Sequence, residues 1–130
     1  MIMAISKNAK KKLSDNFNSY EFDCKCDLPT CTYTLYSLEM IKLLERLRFL
    51  NENRFLVINS AFRCTAHNKS EGGKSNSQHL VGLAVDIRCP AYLSFDQFKN
   101  LVYKIPFKFI LCYPDADVPF IHCDLRTGEF

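Results

Sequence analysis

The spacing of apolar residues divides the chain into a few helices and strands. Leucine and isoleucine recur at three-residue spacing over 34–50, with charged residues mostly on the other side, and this pattern predicts the main helix. The run FLVINS at 55–60 is short, apolar and β-branched, which predicts a buried strand. A second strand is expected at 83–87, and two more are expected at 107–113 and 118–125.

The second half of the chain also carries a helix start and a turn. The segment SFDQ at 94–97 matches a capping box, so we expect a helix that runs to about Tyr103. The segment PDAD at 114–117 is typical of a hairpin turn between the last two strands. Together these elements predict an α+β fold, in which helices pack on one face of a small antiparallel sheet.

Three segments are polar rather than periodic. Residues 1–12 form a basic N-terminal extension, in which we expect a short helix that begins at Ser6. Residues 13–32 are expected to be irregular, and residues 61–78 form a long polar loop. Long loops in small domains are often functional, so the loop at 61–78 is a candidate part of a site.

Composition narrows the possible functions. A chain of 130 residues is expected to form a single domain, and its net charge of +3 is too weak to indicate a nucleic-acid partner. Its apolar runs are too short for a membrane span. Because an apolar start precedes the basic run, which is the reverse of a signal peptide, we expect a protein made in the cytoplasm.

The chain has seven cysteines, an odd number, so at least one thiol has no partner within the chain. Cys24, Cys26 and Cys31 follow a C-x-C-x4-C spacing, which is not that of a standard zinc knuckle. Two alternatives stay open: a disulfide that ties this segment to Cys64, or a structural zinc site that includes Cys64. Two further cysteines alternate with apolar residues and are expected to be core thiols: Cys112 and Cys123.

Two histidines and an aspartate have a spacing that suits a metal ion. His79 precedes a predicted strand that contains Asp86, and Gly82 permits a tight turn between them. His122 lies in the last predicted strand with Asp124 on the same face, so antiparallel pairing would bring it beside Asp86. Two histidines and one carboxylate, with a position left for water, are typical of catalytic zinc. A hydrogen-bonded core pair or a solvated face is the alternative.

Four segments resemble the M15 zinc peptidases, which include D-alanyl-D-alanine carboxypeptidases and the L-alanyl-D-glutamate endopeptidases of phage endolysins. SQHLVGLAVD at 77–86 resembles the family's S-x-H-x-x-G-x-A-x-D motif. INSAFRC at 58–64 and FIHCDLR at 120–126 are similar to its other characteristic segments, and NFNSYEFDC at 16–24 resembles its N-terminal one. The resemblance covers roughly residues 13–126 and implies the scaffold shared by D-Ala-D-Ala peptidases and the hedgehog signalling domain.

The resemblance implies a role for five residues. His79, Asp86 and His122 would bind one Zn²⁺ per chain. Arg63 would hold the peptide carbonyl as charge develops, or a terminal carboxylate, because its guanidinium is always charged and forked. Ser77 either hydrogen-bonds substrate or caps the turn. His67 is not one of these five residues. We expect it to order the loop at 61–78 together with Asn68, and the alternative is that it contacts the metal or the substrate.

The general base is where the chain departs from the family. Many members have glutamate three residues before the last histidine ligand, whereas this chain has Pro119 there. A base must reach the attacking water directly or through one other water molecule. We expect Asp117 to serve, with Asp115 and Asp124 as alternatives.

By resemblance, the expected activity is zinc-dependent cleavage of peptidoglycan stem peptides, as a D-Ala-D-Ala carboxypeptidase or an L-Ala-D-Glu endopeptidase. We expect a monomeric enzyme of the phage type, which is made in the cytoplasm and acts on the cell wall after release. The alternative is a non-catalytic, zinc-stabilised binding module, because the hedgehog signalling domain shows that this scaffold does not require catalysis.

Overall fold

A computed structural model describes residues 1–127 of the chain. Its strands and α-helices, in chain order, are β1 (Ile2–Ser6), β2 (Tyr33–Ser37), α1 (Leu38–Leu50), β3 (Ile58–Ser60), α2 (Thr65–Ser70), β4 (Ala84–Arg88), α3 (Phe95–Val102), β5 (Phe109–Tyr113) and β6 (Phe120–Asp124). Two short 3₁₀ helices lie at Ser19–Phe22 and Gln78–Val81. None of the helices in this part of the chain is both long enough and apolar enough to cross a membrane.

A four-stranded antiparallel sheet in the order β3-β4-β6-β5 forms the centre of the molecule. Side chains alternate between the two faces of each strand, so Val85 and Ile87 of β4 share a face that is buried. That face forms one apolar core with α1 and α3, to which α1 contributes Leu44 and α3 contributes Phe98. The α+β fold predicted from the sequence is confirmed, and the opposite face of the sheet carries both polar and aromatic side chains.

The N-terminal segment corrects one prediction. Instead of a helix that begins at Ser6, the chain forms strand β1, which pairs antiparallel with β2 along its whole length, from Ile2 opposite Ser37 to Ser6 opposite Tyr33. The fold therefore has a second, two-stranded sheet. The helix prediction was wrong because β1 is defined by its pairing with a distant strand and not by local capping.

The start of the main helix was also placed too early. Residues 33–37 belong to β2, and α1 begins at Leu38. The Ser37 hydroxyl accepts a hydrogen bond from the Met40 backbone N–H at 3.1 Å, which caps the helix. Leu35 has helical spacing from Leu38 but lies in the strand. The helix ends at Leu50, as predicted.

The other elements follow the predictions with shorter bounds. The strand expected at 55–60 covers only Ile58–Ser60, and the last two strands form the expected hairpin. The capping box is confirmed, because Ser94 and Gln97 exchange hydrogen bonds at the start of α3. The segment 61–78, expected to be a loop throughout, contains the short helix α2, whose first turn is capped by the Cys64 side chain.

Candidate metal centre

The pairing of β4 with β6 brings the first two candidate ligands together. Asp86 lies directly opposite His122 in the register, so both side chains project from the same face of the sheet. This is the face of the sheet that lies away from the core formed with α1 and α3. The Asp86 side chain is 10 % exposed and the His122 side chain 15 % exposed, so both are largely removed from water.

His79 reaches the same face through a tight turn. It lies in the 3₁₀ helix at Gln78–Val81, and Gly82 ends this helix with a φ of +76°. A side chain there would be strained, and its Cβ would lie 2.7 Å from the backbone of Leu35. Only glycine therefore fits the turn, which places His79 beside the start of β4.

The hydrogen bonds of each imidazole leave one ring nitrogen facing Asp86. His79 Nδ1 lies 2.6 Å from the Ala61 carbonyl oxygen; because a carbonyl only accepts, Nδ1 carries the proton. His79 Nε2 then points to Asp86 Oδ1 at 3.3 Å. His122 Nδ1 lies 2.9 Å from the same oxygen. One ligand atom from each of the three residues lies within 4.8 Å of the others, which suits one shared cation.

Asp124 fixes the orientation of the His122 ring. Its Oδ2 lies 2.8 Å from His122 Nε2, the nitrogen on the far side of the ring from Asp86. Arg126 in turn donates to this fully buried carboxylate through Nε at 2.9 Å and Nη2 at 2.6 Å. A carboxylate that holds the outer nitrogen of a histidine ligand is the usual support of a metal site.

The charges of the group favour a cation between the side chains. Burial opposes charge on Asp86, but hydrogen bonds from His122 and His79 outweigh it and lower its pKa to about 2. Burial also opposes charge on His122, yet its contacts with Asp124 and Asp86 raise its pKa to about 9. Burial disfavours charge on Asp124 as well, but His122 and Arg126 hold its pKa well below the usual range. Two buried carboxylates thus favour positive charge next to the imidazoles, which a proton on His122 or a divalent metal ion in its place can supply.

These side chains lie at a cavity of about 440 Å³ that is open to solvent. His79, Asp86 and His122 line it together with Arg63 and Ser77. Aromatic side chains form much of the remaining wall: Phe109, Tyr113 and Phe120. The cavity is large enough to admit part of a peptide beside the three ligands.

Arg63 is held on three sides at the edge of this group. Its Nε donates to the Ser60 hydroxyl at 3.1 Å, and its Nη1 donates to Asn68 Oδ1 at 3.2 Å. Its Nη2 lies 3.5 Å from Asp86 Oδ2. The guanidinium is therefore positioned next to the candidate metal ligands, in a fixed orientation.

Ser77 has a structural contact of its own. Its hydroxyl accepts a hydrogen bond from the His79 backbone N–H at 3.2 Å and so caps the turn that carries this ligand. Of the two roles considered for Ser77, the structure contains the capping one. Contact with substrate stays a prediction, which its position on the cavity wall permits.

The candidate bases are not all at the cavity. Asp115 and Asp117 are exposed in the β5–β6 connection, and neither is among the residues that line the cavity. Asp124 is occupied by His122 and Arg126. Glu71 lines the cavity, and its side chain is about half exposed. It was not among the residues predicted from the sequence, because an acid in a polar loop carries no distinguishing signal. His67 lies 3.5 Å from Glu71 and is not part of the three-residue ligand group.

Comparison with known proteins gives one match. A family model described as peptidase M15 matches residues 15–124, which include all three candidate ligands and Arg63. No curated protein matches the chain. The matched segment contains most of the described elements but not β1.

Proposed function

The chain belongs to the peptidase M15 family, and from this premise we propose that it is a zinc-dependent peptidase that cleaves the stem peptides of peptidoglycan. The family assignment confirms the resemblance found in the sequence motifs. Peptidases of this family are generally metal-dependent. The observation that carries the proposal is the convergence of His79, Asp86 and His122 at an open cavity.

The ligand group fits zinc in its number and type. Two imidazole nitrogens and one carboxylate oxygen provide three protein ligands, which leaves a coordination position for water or substrate. When bound, zinc supplies a Lewis acid that polarises a carbonyl and acidifies a water molecule. The Ala61 carbonyl and the Asp124 carboxylate hold the two rings in the orientation that this role requires.

Arg63 is proposed to bind the oxygen on which negative charge develops, or the terminal carboxylate of a stem peptide. A guanidinium has five N–H donors in a fixed plane, and the contacts with Ser60, Asn68 and Asp86 hold that plane at the cavity. Donors that are positioned before the reaction stabilise a transition state without reorganisation. Ser77 is proposed to contact the substrate from the same wall.

The proton acceptor is proposed to be a carboxylate, either Asp117 or Glu71. Asp117 is the candidate from the sequence, and it would have to reach the cavity from the β5–β6 connection. Among the described residues, the cavity lining contains two acidic side chains, Asp86 and Glu71. Because Asp86 is a candidate metal ligand, Glu71 is the carboxylate that stays available as a proton acceptor. The separate variants Asp117→Asn and Glu71→Gln distinguish them, because only loss of the true acceptor lowers kcat at saturating substrate.

Mass spectrometry of products from defined muropeptides tests the proposal. Loss of one terminal alanine identifies a carboxypeptidase, and a cut between alanine and glutamate identifies an endopeptidase. We propose that the protein is a phage-type enzyme that degrades the cell wall after release from the producing cell. Either result fits this proposal. No cleavage by zinc-loaded protein would contradict the peptidase proposal.

A non-catalytic binding module is the second candidate, and one observation favours it. Pro119 occupies the position where many M15 peptidases have their glutamate, and the exposed Asp115 and Asp117 lie outside the cavity lining. A module of this kind would bind muropeptides at the same cavity and leave them intact. Binding without any product, with zinc present, would favour it.

A further inference from the structure

Four cysteines converge in a group that is separate from the candidate peptidase centre (His79, Asp86 and His122). Cys24, Cys26 and Cys31 lie in the segment between the first 3₁₀ helix and β2, and Cys64 lies between β3 and α2. One sulfur atom from each lies within 4.8 Å of the others. We propose that this cysteine cluster (Cys24, Cys26, Cys31 and Cys64) binds a second zinc ion, whose role is structural.

The spacing of the sulfur atoms fits a shared metal better than a covalent bond. A disulfide places its two sulfurs about 2.05 Å apart. Four thiolates at about 2.3 Å from a tetrahedral zinc ion lie about 3.8 Å from one another. The Sγ atoms of Cys26 and Cys64 are 3.8 Å apart, and all seven cysteines within residues 1–127 are free thiols.

The surroundings supply hydrogen-bond donors to the sulfurs. The backbone N–H of Cys64 donates to Cys24 Sγ at 3.3 Å, and the backbone N–H of His67 donates to Cys64 Sγ at 3.4 Å. Zinc with four thiolate ligands carries a net negative charge, so donors directed at sulfur stabilise the loaded site.

A lysine completes this arrangement. Lys7, which directly follows β1, donates through Nζ to Cys26 Sγ at 3.5 Å and to the Cys26 carbonyl at 2.9 Å. Its positive charge offsets the negative charge of a zinc–thiolate site. Lys7 therefore connects the N-terminal sheet to the cysteine cluster by a contact that zinc would strengthen.

A set of four thiolates fills the coordination sphere of zinc, which is the mark of a structural site rather than a catalytic one. Cys24 and Cys31 are buried with Phe62 in a small apolar cluster that is separate from the main core. This cluster is too small to order the long segment before β2 by apolar burial alone. A zinc ion would fasten that segment to the chain next to Arg63, which directly precedes Cys64.

Metal content of the full chain tests the proposal. The protein is expressed with added zinc, purified with a phosphine reductant and without chelator, and measured by elemental mass spectrometry. We expect two zinc ions per wild-type chain, one in Cys64→Ser and one in His122→Ala. The matched control Cys89→Ser, which alters a thiol outside the cluster, should keep two. Unchanged zinc content in Cys64→Ser would overturn the proposal, whether or not the protein is a peptidase.

Cobalt substitution provides a readout that does not depend on the folding of a cysteine variant. The His122→Ala chain is loaded with Co²⁺, which reports thiolate ligands through intense charge-transfer absorption in the near ultraviolet. We expect this absorption at one equivalent, with the intensity of a four-thiolate site. Its absence would overturn the proposal. Intact mass is measured on a second sample that is purified without reductant. A mass lower than the all-thiol mass, by the hydrogens lost in disulfide formation, would overturn the proposal in favour of disulfides.

Discussion

The chain holds two groups of side chains that could each bind a metal ion, and the two differ in ligand type and in surroundings. The peptidase centre, formed by His79, Asp86 and His122, lies on one face of the four-stranded sheet and lines an open cavity. The cysteine cluster joins the irregular segment before β2 to Cys64, which directly follows Arg63. The first offers three candidate ligands and the second offers four, which is the difference expected between a catalytic and a structural zinc site.

The two groups also hold charge differently. In the cysteine cluster, burial disfavours the Cys26 thiolate, but hydrogen bonds from the Leu28 backbone and the neighbouring thiols outweigh it and lower its pKa to about 6. Burial and the contact with Cys26 raise the pKa of Cys31 to about 12. In the peptidase centre, the charges are fixed carboxylates with arginine and histidine partners. We expect substitutions in the peptidase centre to affect mainly catalysis, and substitutions in the cysteine cluster to affect mainly stability.

The largest effect is expected from removal of a ligand in the peptidase centre. His79→Ala should lower kcat/KM by at least about 10³-fold, because several kcal/mol of transition-state stabilisation by the metal are lost. The free energy of unfolding should change far less. His67→Ala is the matched control for metal content and should retain the zinc of the peptidase centre. An active His79→Ala enzyme would contradict the assignment of the ligands.

Replacement of Arg63 should have the next largest effect. Arg63→Lys keeps the charge but loses the planar fork, so kcat should fall by about 10²- to 10³-fold, as after loss of one oxyanion donor. Zinc content should not change. If Arg63→Lys raises KM alone, Arg63 binds the ground state and does not stabilise the transition state.

Asp124 tests the support of a metal ligand. Asp124→Asn should lower zinc affinity or activity by about 10- to 100-fold, because the outer nitrogen of His122 loses its carboxylate partner. The effect should be on the peptidase centre alone, with the zinc of the cysteine cluster retained. Asp96→Asn, an exposed change in α3, is the control. Equal zinc affinity in Asp124→Asn and wild type would show that Asp124 does not support the site.

The smallest effect on activity is expected from the cysteine cluster. Cys64→Ser should change kcat/KM only a few-fold through the position of Arg63, whereas stability should fall markedly. Loss of a metal present at about 1,000 times its Kd removes about 4 kcal/mol from the free energy of unfolding. Thermal unfolding with and without chelator measures this, and Cys89→Ser should respond to chelator as wild type does. Equal Tm values for Cys64→Ser and Cys89→Ser would remove the distinction between the two groups.

The peptidase centre could be proposed from the sequence because each candidate ligand lies in a recognisable segment, although Asp86 and His122 meet through the pairing of β4 with β6. Side chains in a strand alternate with a period of two, so the positions of Asp86 and His122 in their strands fixed the face on which each lies. Gly82 marked the turn that brings His79 back to β4. The capping box at Ser94 and the end of α1 at Leu50 follow in the same way from neighbouring residues.

The features that the sequence did not reveal depend on contacts between distant residues. The pairing of β1 with β2 overrode a helical spacing that included Leu35, and the start of the main helix moved to Leu38. Cys64 meets Cys24 across 40 positions of the chain, so the sequence left a disulfide and a zinc site as alternatives for these cysteines. The cavity position of Glu71, and the exposure of Asp117, follow from how α2 and the β5–β6 connection lie around the sheet.

Product analysis with a matched pair of proteins tests the central claim most directly. Zinc-loaded wild type and His122→Ala are incubated with the same defined muropeptides, and the products are identified by mass spectrometry. With wild type we predict one pair of products, either free alanine and the shortened muropeptide or the two fragments of a cut between alanine and glutamate, and we predict none with His122→Ala. Intact muropeptides after incubation with wild type, or equal cleavage by His122→Ala, would contradict the account.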